Sequence, residues 1–210
     1  MMSQGGNTAE WATHYQGTSR TGRRPALLCD RDGTLIHNVP YLADPEGVEL
    51  IKGVRDTLQA FRRRGYVIVQ ISNQSGVARG ILTPAQYASV QRRVVERLGE
   101  GMIDAAYACP WLANGMAPYD VEHEWRKPAP GMLHAAACDF NIDLKRSIIV
   151  GDSLSDLQAG TAAGVKHLVH VLTGHGMHDR AAVEDWADKG GYRVDYLQSI
   201  ADLRPMSEVG

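Results

Sequence analysis

The chain has 210 residues, of which 44% are hydrophobic and 7% aromatic, and this length suits one globular domain with a large core. Its 22 Lys and Arg residues nearly balance its 24 Asp and Glu residues, which leaves a formal net charge of -2. That balance argues against nucleic acid or an anionic membrane as the main partner, because either would favour a strongly basic surface.

Residues 1–24 are polar and rich in Gly, Ser and Thr, and they predict a flexible N-terminal arm ahead of a single domain at residues 25–210. An alternative is that Trp11 and Tyr15 pin part of this arm to the domain. The arm lacks the apolar stretch of a secretory signal peptide, and no apolar run in the chain approaches the ~18 residues of a membrane span. These features predict a soluble protein.

Apolar runs alternate with helical spacings between residues 26 and 203. The pattern predicts strands at 26–30, 66–72, 103–108, 147–150 and 167–172. It predicts helices at 54–64, 84–98, 132–139 and 154–163, weaker helices at 181–187 and 196–203, and a long irregular loop at 109–126. Strands that alternate with helices in this way indicate an α/β fold, in which a parallel, doubly wound sheet has helices on both faces.

Polar residues follow several of the predicted strands, at the edge of the sheet where ligands bind. Asp30 and Asp32 follow the first strand, and Asp152 follows the fourth. Because close carboxylates repel each other unless a cation lies between them, these acids predict a hard divalent ion such as Mg²⁺. Ser72 can then offer its hydroxyl to a phosphate group, and Lys127 is a candidate counter-charge. By itself, an Asp-x-Asp-Gly sequence is also a common strand-to-turn signal.

These residues carry a resemblance to a known superfamily. Residues 30–35, Asp-Arg-Asp-Gly-Thr-Leu, resemble the first motif of the haloacid dehalogenase-like (HAD) phosphohydrolases, and Ser72, Lys127 and Asp152 match its later motifs in order. The resemblance implies a HAD-like three-layer α/β/α sandwich, and the segments between the motifs are too short for a separate cap domain. It also implies a phosphatase that works through an aspartyl-phosphate intermediate.

The resemblance assigns roles to the individual acids. Asp30 would be the nucleophile, and Asp32 would be the general acid for the leaving group and then the base for water. Asp30, the backbone carbonyl of Asp32 and Asp152 would hold Mg²⁺. Ser72 and Lys127 would bind the transferring phosphate. Asp156, one helical turn beyond Asp152, either supports the metal site or is a solvated helix acid.

Within the superfamily, residues 73–80 and 126–132 resemble those of heptose bisphosphate phosphatases, which form a group with the histidinol-phosphate phosphatases. This likeness implies removal of the C7 phosphate of a heptose bisphosphate in surface-glycan (lipopolysaccharide core) precursor synthesis. It places Arg126 on a substrate phosphate, since guanidinium groups match phosphate geometry, and Asn73 and Arg79 on the sugar side.

Two alternatives stay open at this point. One is a phosphatase for histidinol phosphate or for another small sugar phosphate. The other is a non-catalytic phosphate-binding module, which Asp32 argues against because such a module needs no acid or base for a leaving group.

Phosphatases of this group commonly carry a zinc loop before the third motif, with ligands in the pattern Cys-x-His followed by Cys-x-Cys. In this chain the two positions read Cys-Pro-Trp and His-Glu-Trp, so only Cys109 and a substituted His123 remain. Two ligands do not make a structural zinc site, and we expect no zinc. We hypothesise that packing of Trp111 and Trp125 replaces the metal in stabilising this loop.

The remaining expectations concern the setting of the protein. The three cysteines, Cys29, Cys109 and Cys138, are an odd and sparse set, which favours a reducing compartment and predicts a cytoplasmic protein. We expect a monomer that acts on a small phosphorylated sugar and has neither nucleic acid nor a membrane as its partner.

Overall fold

The computed structural model describes residues 7–16 and 22–205. The strands of this part of the chain are β1 (Ala12–His14), β2 (Ala26–Cys29), β3 (Val67–Asn73), β4 (Ala105–Cys109), β5 (Ile148–Gly151), β6 (His167–Val171) and β7 (Val194–Leu197). Its α-helices are α1 (Val54–Arg63), α2 (Ser75–Ala78), α3 (Pro84–Leu98), α4 (Gly131–Phe140), α5 (Leu154–Ala162) and α6 (Gly176–Gly190). Short 3-10 helices lie at Thr8–Trp11, Pro45–Gly47, Leu144–Arg146 and Ile200–Asp202. None of the helices in these residues is long and apolar enough to cross a membrane.

The strands form one sheet in the order β1-β4-β3-β2-β5-β6-β7. Strands β2 to β7 run parallel, and Leu28 of β2 lies opposite Val69 of β3 and Ile149 of β5. Among the described strands, only β1 is antiparallel, against β4. From β2 the chain builds outward first on one side and then on the other, so the strand order reverses at β2. This arrangement confirms the predicted parallel, doubly wound sheet, and it opens a ligand crevice at the carboxyl end of β2.

Two apolar cores, one on each face of the sheet, give the fold three layers. Leu28 in the central strand points to the face that α4, α5 and α6 cover. Leu27 points to the opposite face, as successive residues of a strand do, and packs with α1 and α3. The predicted α/β/α sandwich is therefore confirmed. Between β2 and β5, the described chain adds no further sheet or helical bundle that would form a cap domain.

Side-chain caps set where two of the helices begin. At the start of α3, the Thr83 hydroxyl accepts a hydrogen bond from the backbone N–H of Gln86, whose side chain bonds back to Thr83. Ser153 and Asp156 form the same reciprocal pair at the start of α5. This second cap holds Asp156 in the first turn of α5, immediately beyond the end of β5.

The prediction of a flexible arm is wrong for residues 7–16. The segment Ala12–His14 pairs with β4 and completes one edge of the sheet. Trp11 is only 4% exposed, and its ring packs 5.2 Å from that of Tyr87 and 5.8 Å from that of Tyr119. Burial of this large ring, together with hydrogen bonds to the open edge of β4, stabilises the segment on the domain. Of the rest of the predicted arm, residues 1–6 and 17–21 lie outside the described residues, and Arg24 at its end forms an isolated parallel bridge with Ile142.

Two predicted helices also differ from the structure. Residues 196–203 were predicted as a helix, but they contribute the end of β7 and the 3-10 helix Ile200–Asp202. Half-buried β7 pairs with β6 at the sheet edge, where a short apolar run does not distinguish a strand from a helix. Helix α6, at Gly176–Gly190, is longer than the predicted 181–187, and the residue that caps its end is Gly191, whose positive φ of 63° suits glycine.

Candidate active site

The carboxyl ends of β2, β3 and β5 open into a cavity of about 400 Å³. Asp30 follows β2, Ser72 lies near the end of β3, and Asp152 follows β5, so the three meet because parallel strands end at the same edge. The predicted site residues that line this cavity are Asp30, Asp32, Ser72, Asn73, Lys127 and Asp152.

Lys127 enters the cavity from the segment before α4, and its ammonium group lies among carboxylates. Its side chain is 3% exposed, and Nζ lies 2.7 Å from Asp30 Oδ1 and 2.5 Å from Asp156 Oδ1. Asn73 holds the Lys127 backbone from both sides, since its Nδ2 donates to the carbonyl and its Oδ1 accepts from the N–H, each at 3.0 Å. The Asn73 amide therefore fixes Lys127, and Asn73 also lines the cavity; its contact with the sugar stays a prediction.

Three buried carboxylates, those of Asp30, Asp152 and Asp156, each offer an oxygen atom within 4.8 Å of the others. Burial raises the pKa of both Asp30 and Asp152, and the neighbouring carboxylates raise it further, whereas Lys127 opposes the shift. Burial would lower the pKa of Lys127, but the adjacent Asp156 and Asp30 outweigh it and raise the pKa. One ammonium group thus faces three acids, and this excess of hard oxygen donors fits a divalent ion such as Mg²⁺.

The position of Asp152 depends on two glycines and a backbone N–H. Its Oδ2 accepts a 2.7 Å hydrogen bond from the N–H of His175. Gly33 and Gly174 both have positive φ, at 85° and 60°, and a Cβ atom on either would lie 2.0 Å from Asp152 Oδ2. The two loops can approach the carboxylate this closely only because neither has a side chain at these positions.

Asp32 faces the same cavity with its carboxylate held by two side chains. Arg31 donates from Nε to Oδ2 at 3.1 Å and from Nη2 to Oδ1 at 3.2 Å. Gln74 donates from Nε2 to Asp32 Oδ2 at 3.0 Å and to Ser72 Oγ at 2.7 Å. The arrangement therefore links the proposed proton-transfer acid to the hydroxyl at the end of β3.

The structure does not bring two of the predicted substrate contacts into the cavity lining. Arg79 lies exposed at the end of α2. Arg126 is half-buried, and its Nη1 donates to the backbone carbonyl of Trp111 at 3.4 Å. Asp156 is 1% exposed, so the alternative of a solvated helix acid is wrong for this residue. Its carboxylate turns inward because Lys127 and the Ser153 N–H both bond to it.

The loop at residues 109–126, where tryptophans replace two of the four zinc ligands, is packed with aromatic rings. Trp111 stacks on His123 with ring centroids 3.9 Å apart, and Trp125 meets Trp111 edge-on at 6.3 Å. Burial raises the pKa of Cys109 to about 11 and lowers that of His123, which favours a protonated thiol and a neutral imidazole. The two tryptophans pack together as hypothesised, and the prediction that the loop binds no zinc stays a prediction.

Comparisons with known proteins agree with this geometry. The HAD-hydrolase-like family model matches residues 124–200, a stretch that contains Lys127, Asp152 and Asp156. A D-glycero-beta-D-manno-heptose-1,7-bisphosphate 7-phosphatase from Mesorhizobium japonicum is 38% identical over 203 residues, which cover 95% of this chain and 86% of the relative. A relative of the same name from Escherichia coli is 35% identical, over 85% of this chain and 91% of its own length. The chain belongs to the family of HAD-like heptose bisphosphate phosphatases.

Solved structures in this family share the fold. A HAD-like phosphatase from Mesorhizobium loti superimposes with a TM-score of 0.73 at 37% identity, over 77% of this chain and 79% of the other. A D,D-heptose 1,7-bisphosphate phosphatase from B. bronchiseptica, complexed with magnesium and phosphate, gives a TM-score of 0.70 at 28% identity, over 84% and 94%.

Sequence reasoning missed several side chains that shape the site of this phosphatase. Arg31 and Gln74 fall within the motifs and had no predicted role of their own, although both bond to Asp32. The sequence leaves two alternatives for Asp156, but the Ser-x-x-Asp pattern at residues 153–156 is a capping-box signal that places it at the start of α5, beside Asp152. Gly174 carries no local signal for its contact, because that contact forms only when the loop after β6 meets Asp152.

Proposed function

We propose that this phosphatase removes the C7 phosphate of D-glycero-D-manno-heptose 1,7-bisphosphate, in the synthesis of surface-glycan precursors of the lipopolysaccharide core, with Mg²⁺ as its cofactor. One observation carries the proposal: Lys127 lies between Asp30 and Asp156 in the cavity that Asp152 also lines. The names of the relatives and their coverage of the chain support the choice of substrate.

Asp30 is the proposed nucleophile of the first step. Its carboxylate oxygen attacks phosphorus, the bond between phosphorus and the sugar oxygen breaks, and an aspartyl-phosphate forms. Lys127, which already bonds to Asp30 Oδ1, keeps a positive charge beside the incoming phosphoryl group. Ser72 lies near the end of the neighbouring strand and offers its hydroxyl to a phosphate oxygen.

Asp32 is the proposed acid and base. In the first step it gives its proton to the departing sugar alkoxide, and in the second it takes a proton from the attacking water. That water displaces the Asp30 carboxylate from phosphorus, which releases inorganic phosphate and restores the starting enzyme. The Asp32 side chain is 23% exposed, so it reaches the cavity that substrate and water enter.

Asp30, Asp152 and the backbone carbonyl of Asp32 are the proposed metal ligands, and the inward-facing carboxylate of Asp156 fits the same group. Bound Mg²⁺ would supply positive charge that neutralises and orients the transferring phosphoryl group. Without it, the chain sets three acids against one lysine, a balance that repels a phosphate dianion.

The sugar and its second phosphate are proposed to contact residues around the cavity mouth. Asn73 lines the cavity. Arg79 and Arg126 lie outside that lining, and we propose that their guanidinium groups turn to the second phosphate when the substrate binds. A cavity of about 400 Å³ suits a small phosphorylated sugar better than a macromolecule. We further propose that the protein acts as a cytoplasmic monomer, which light scattering of the purified chain would test for its oligomeric part.

The proposal is tested by kcat/KM on both anomers of the heptose bisphosphate and on histidinol phosphate, in the presence of Mg²⁺. We expect the heptose substrate to be preferred and its C1 phosphate to stay in the product. A preference for histidinol phosphate would contradict the substrate assignment. An enzyme that releases the C1 phosphate instead would contradict the assigned site of cleavage.

The covalent step needs its own test. Borohydride reduces an acyl phosphate to an alcohol, so quenching during turnover and mapping the peptides should find residue 30 modified. Asp30→Asn should abolish turnover, whereas Asp185→Asn on the exposed face of α6 should leave it unchanged. Wild-type turnover by Asp30→Asn would rule out this mechanism.

A further inference from the structure

Arg31 lies next to the proposed nucleophile in sequence, but it is not among the residues assigned above to metal, phosphate or proton transfer. Its side chain is 2% exposed, and its guanidinium group lies 5.6 Å from the centre of the Tyr87 ring. The Arg31 carbonyl accepts hydrogen bonds from the N–H groups of Thr34, Leu35 and Ile36, so the backbone at this point is held in a tight turn. Both ends of the residue are therefore fixed.

The guanidinium group makes a two-point contact with one carboxylate. Nε and Nη2 of Arg31 donate to the two oxygens of Asp32 at 3.1 and 3.2 Å, and Nη2 also approaches Oδ2 to 2.9 Å. Such a fork fixes the plane of a carboxylate, which a single hydrogen bond does not. Gln74 adds a third donor to Asp32 from the end of β3.

Stability alone does not account for this arginine. Its Nη1 is buried and has no hydrogen-bond partner among the described residues. Burying a guanidinium group with one nitrogen unsatisfied destabilises a fold, and an apolar side chain against Tyr87 would avoid that penalty. A costly buried contact beside a catalytic group indicates that the orientation it imposes has a function.

We propose that Arg31 is a positioning residue, which holds the carboxylate of Asp32 in the orientation from which it protonates the leaving oxygen of a sugar phosphate. The inference rests on the proposed role of Asp32 as the acid and base. An acid that sits even 1 Å from its productive position loses up to about 100-fold in rate, so a rigid two-point contact has a direct kinetic value.

The leaving group separates positioning from mere structural support. A sugar alkoxide leaves only with a proton from Asp32, whereas p-nitrophenolate leaves without one. The value of kcat/KM reports the steps through phosphoryl transfer to the enzyme, before Asp32 acts on water. Comparing kcat/KM on the heptose bisphosphate and on p-nitrophenyl phosphate, with Mg²⁺ present, therefore isolates proton donation to the leaving group.

Arg31→Met should lower kcat/KM on the heptose bisphosphate by about 10- to 100-fold and on p-nitrophenyl phosphate by less than about threefold. Arg31→Lys keeps the charge and the buried stem but loses the fork, so we expect the same discrimination from it. If Arg31→Met does not fold, the Arg31→Lys variant by itself still tests whether Arg31 positions Asp32. Gln91→Met is the matched control, because it removes a buried polar group that bonds to Gln70 and not to Asp32.

A double variant in the Asp32→Asn background completes the experiment. If Arg31 acts through Asp32, adding Arg31→Lys to Asp32→Asn should cause no further loss on the sugar substrate. Equal losses on both substrates, or additive losses in the double variant, would overturn the inference. Failure of the proposed function itself is distinguishable, since Asp32→Asn would then show no dependence on the leaving group.

Discussion

Replacing Lys127 by Met should destabilise the protein by about 3–5 kcal/mol in the absence of metal, because it leaves buried carboxylates without their cation. The contacts of Lys127 favour a loss of unfolding free energy at the upper end of this range. Nζ contacts two carboxylates, Asp30 at 2.7 Å and Asp156 at 2.5 Å, and donates to the Ile71 carbonyl at 3.2 Å. Urea unfolding at pH 8 in EDTA, followed by tryptophan fluorescence, measures the change in unfolding free energy.

Lys189→Met is the matched control. Lys189 lies the same 2.7 Å from a carboxylate, that of Asp185, but its side chain is 75% exposed. Solvent screens such a pair, so we expect this variant to change stability by less than about 0.5 kcal/mol. If the Lys127 and Lys189 variants lost equal stability, the reasoning from burial would be refuted.

Magnesium provides a second arm of the same experiment. A divalent ion among the three carboxylates should replace part of the missing charge in the Lys127 variant. The destabilisation should then shrink by about 1.4 kcal/mol in saturating Mg²⁺, which corresponds to tenfold tighter metal binding by the variant. A destabilisation that is the same with and without Mg²⁺ would argue that the metal does not bind to this group.

The other predictions concern the metal, one loop and pH. Mg²⁺ at 100 times its Kd should stabilise the wild-type protein by about 2.7 kcal/mol and raise Tm by roughly 5–10 °C, a shift that Asp152→Asn should abolish in calorimetry. Gly174→Ala should also reduce this shift, because its Cβ would meet Asp152, whereas Gly164→Ala has a similar positive φ but no atom within 4 Å and should not. Burial lowers the pKa of His170 below its usual value of 6.5. As the pH falls below 6.5, the unfolded state therefore takes up a proton that the folded state does not, and the free energy of unfolding declines. His170→Gln should flatten this decline, whereas His178→Gln, at an exposed position, should not. Elemental analysis should find no stoichiometric zinc, and finding it would contradict the proposed aromatic replacement of that site.

The acids of the candidate site were predictable because their positions follow from the ends of strands. Asp30 and Asp152 come directly after apolar runs, and a parallel sheet brings such ends to one edge whatever the details of packing. Lys127 was also predicted, although nothing local shows that its backbone is held by Asn73. The order of these residues along the chain matches the motifs of the HAD phosphohydrolases, and it is this resemblance that indicated a phosphatase.

The contacts that orient these acids were not predictable in the same way. Gln74 reaches Asp32 only because β3 lies beside β2, and Gly174 reaches Asp152 only because the loop after β6 folds back over β5. The alternative that Trp11 pins the arm to the domain is confirmed, but no nearby residue signals the pocket that it forms with Tyr87 on α3. Each of these contacts joins segments that are far apart in the chain.

By itself, the sequence determined the alternation of strands and helices, the family, and the acids and lysine that the chemistry requires. These properties depend on the spacing of hydrophobic residues and on short motifs, and both involve only residues that are close together in the chain. Only the tertiary structure decided that the Asp156 carboxylate turns inward and pairs with Lys127, and that the Arg31 guanidinium bonds to Asp32. It also decided that residues 7–16 complete one edge of the sheet. Those outcomes depend on which surfaces meet when distant segments pack. They also depend on the partners that charges and backbone polar groups need once they are buried.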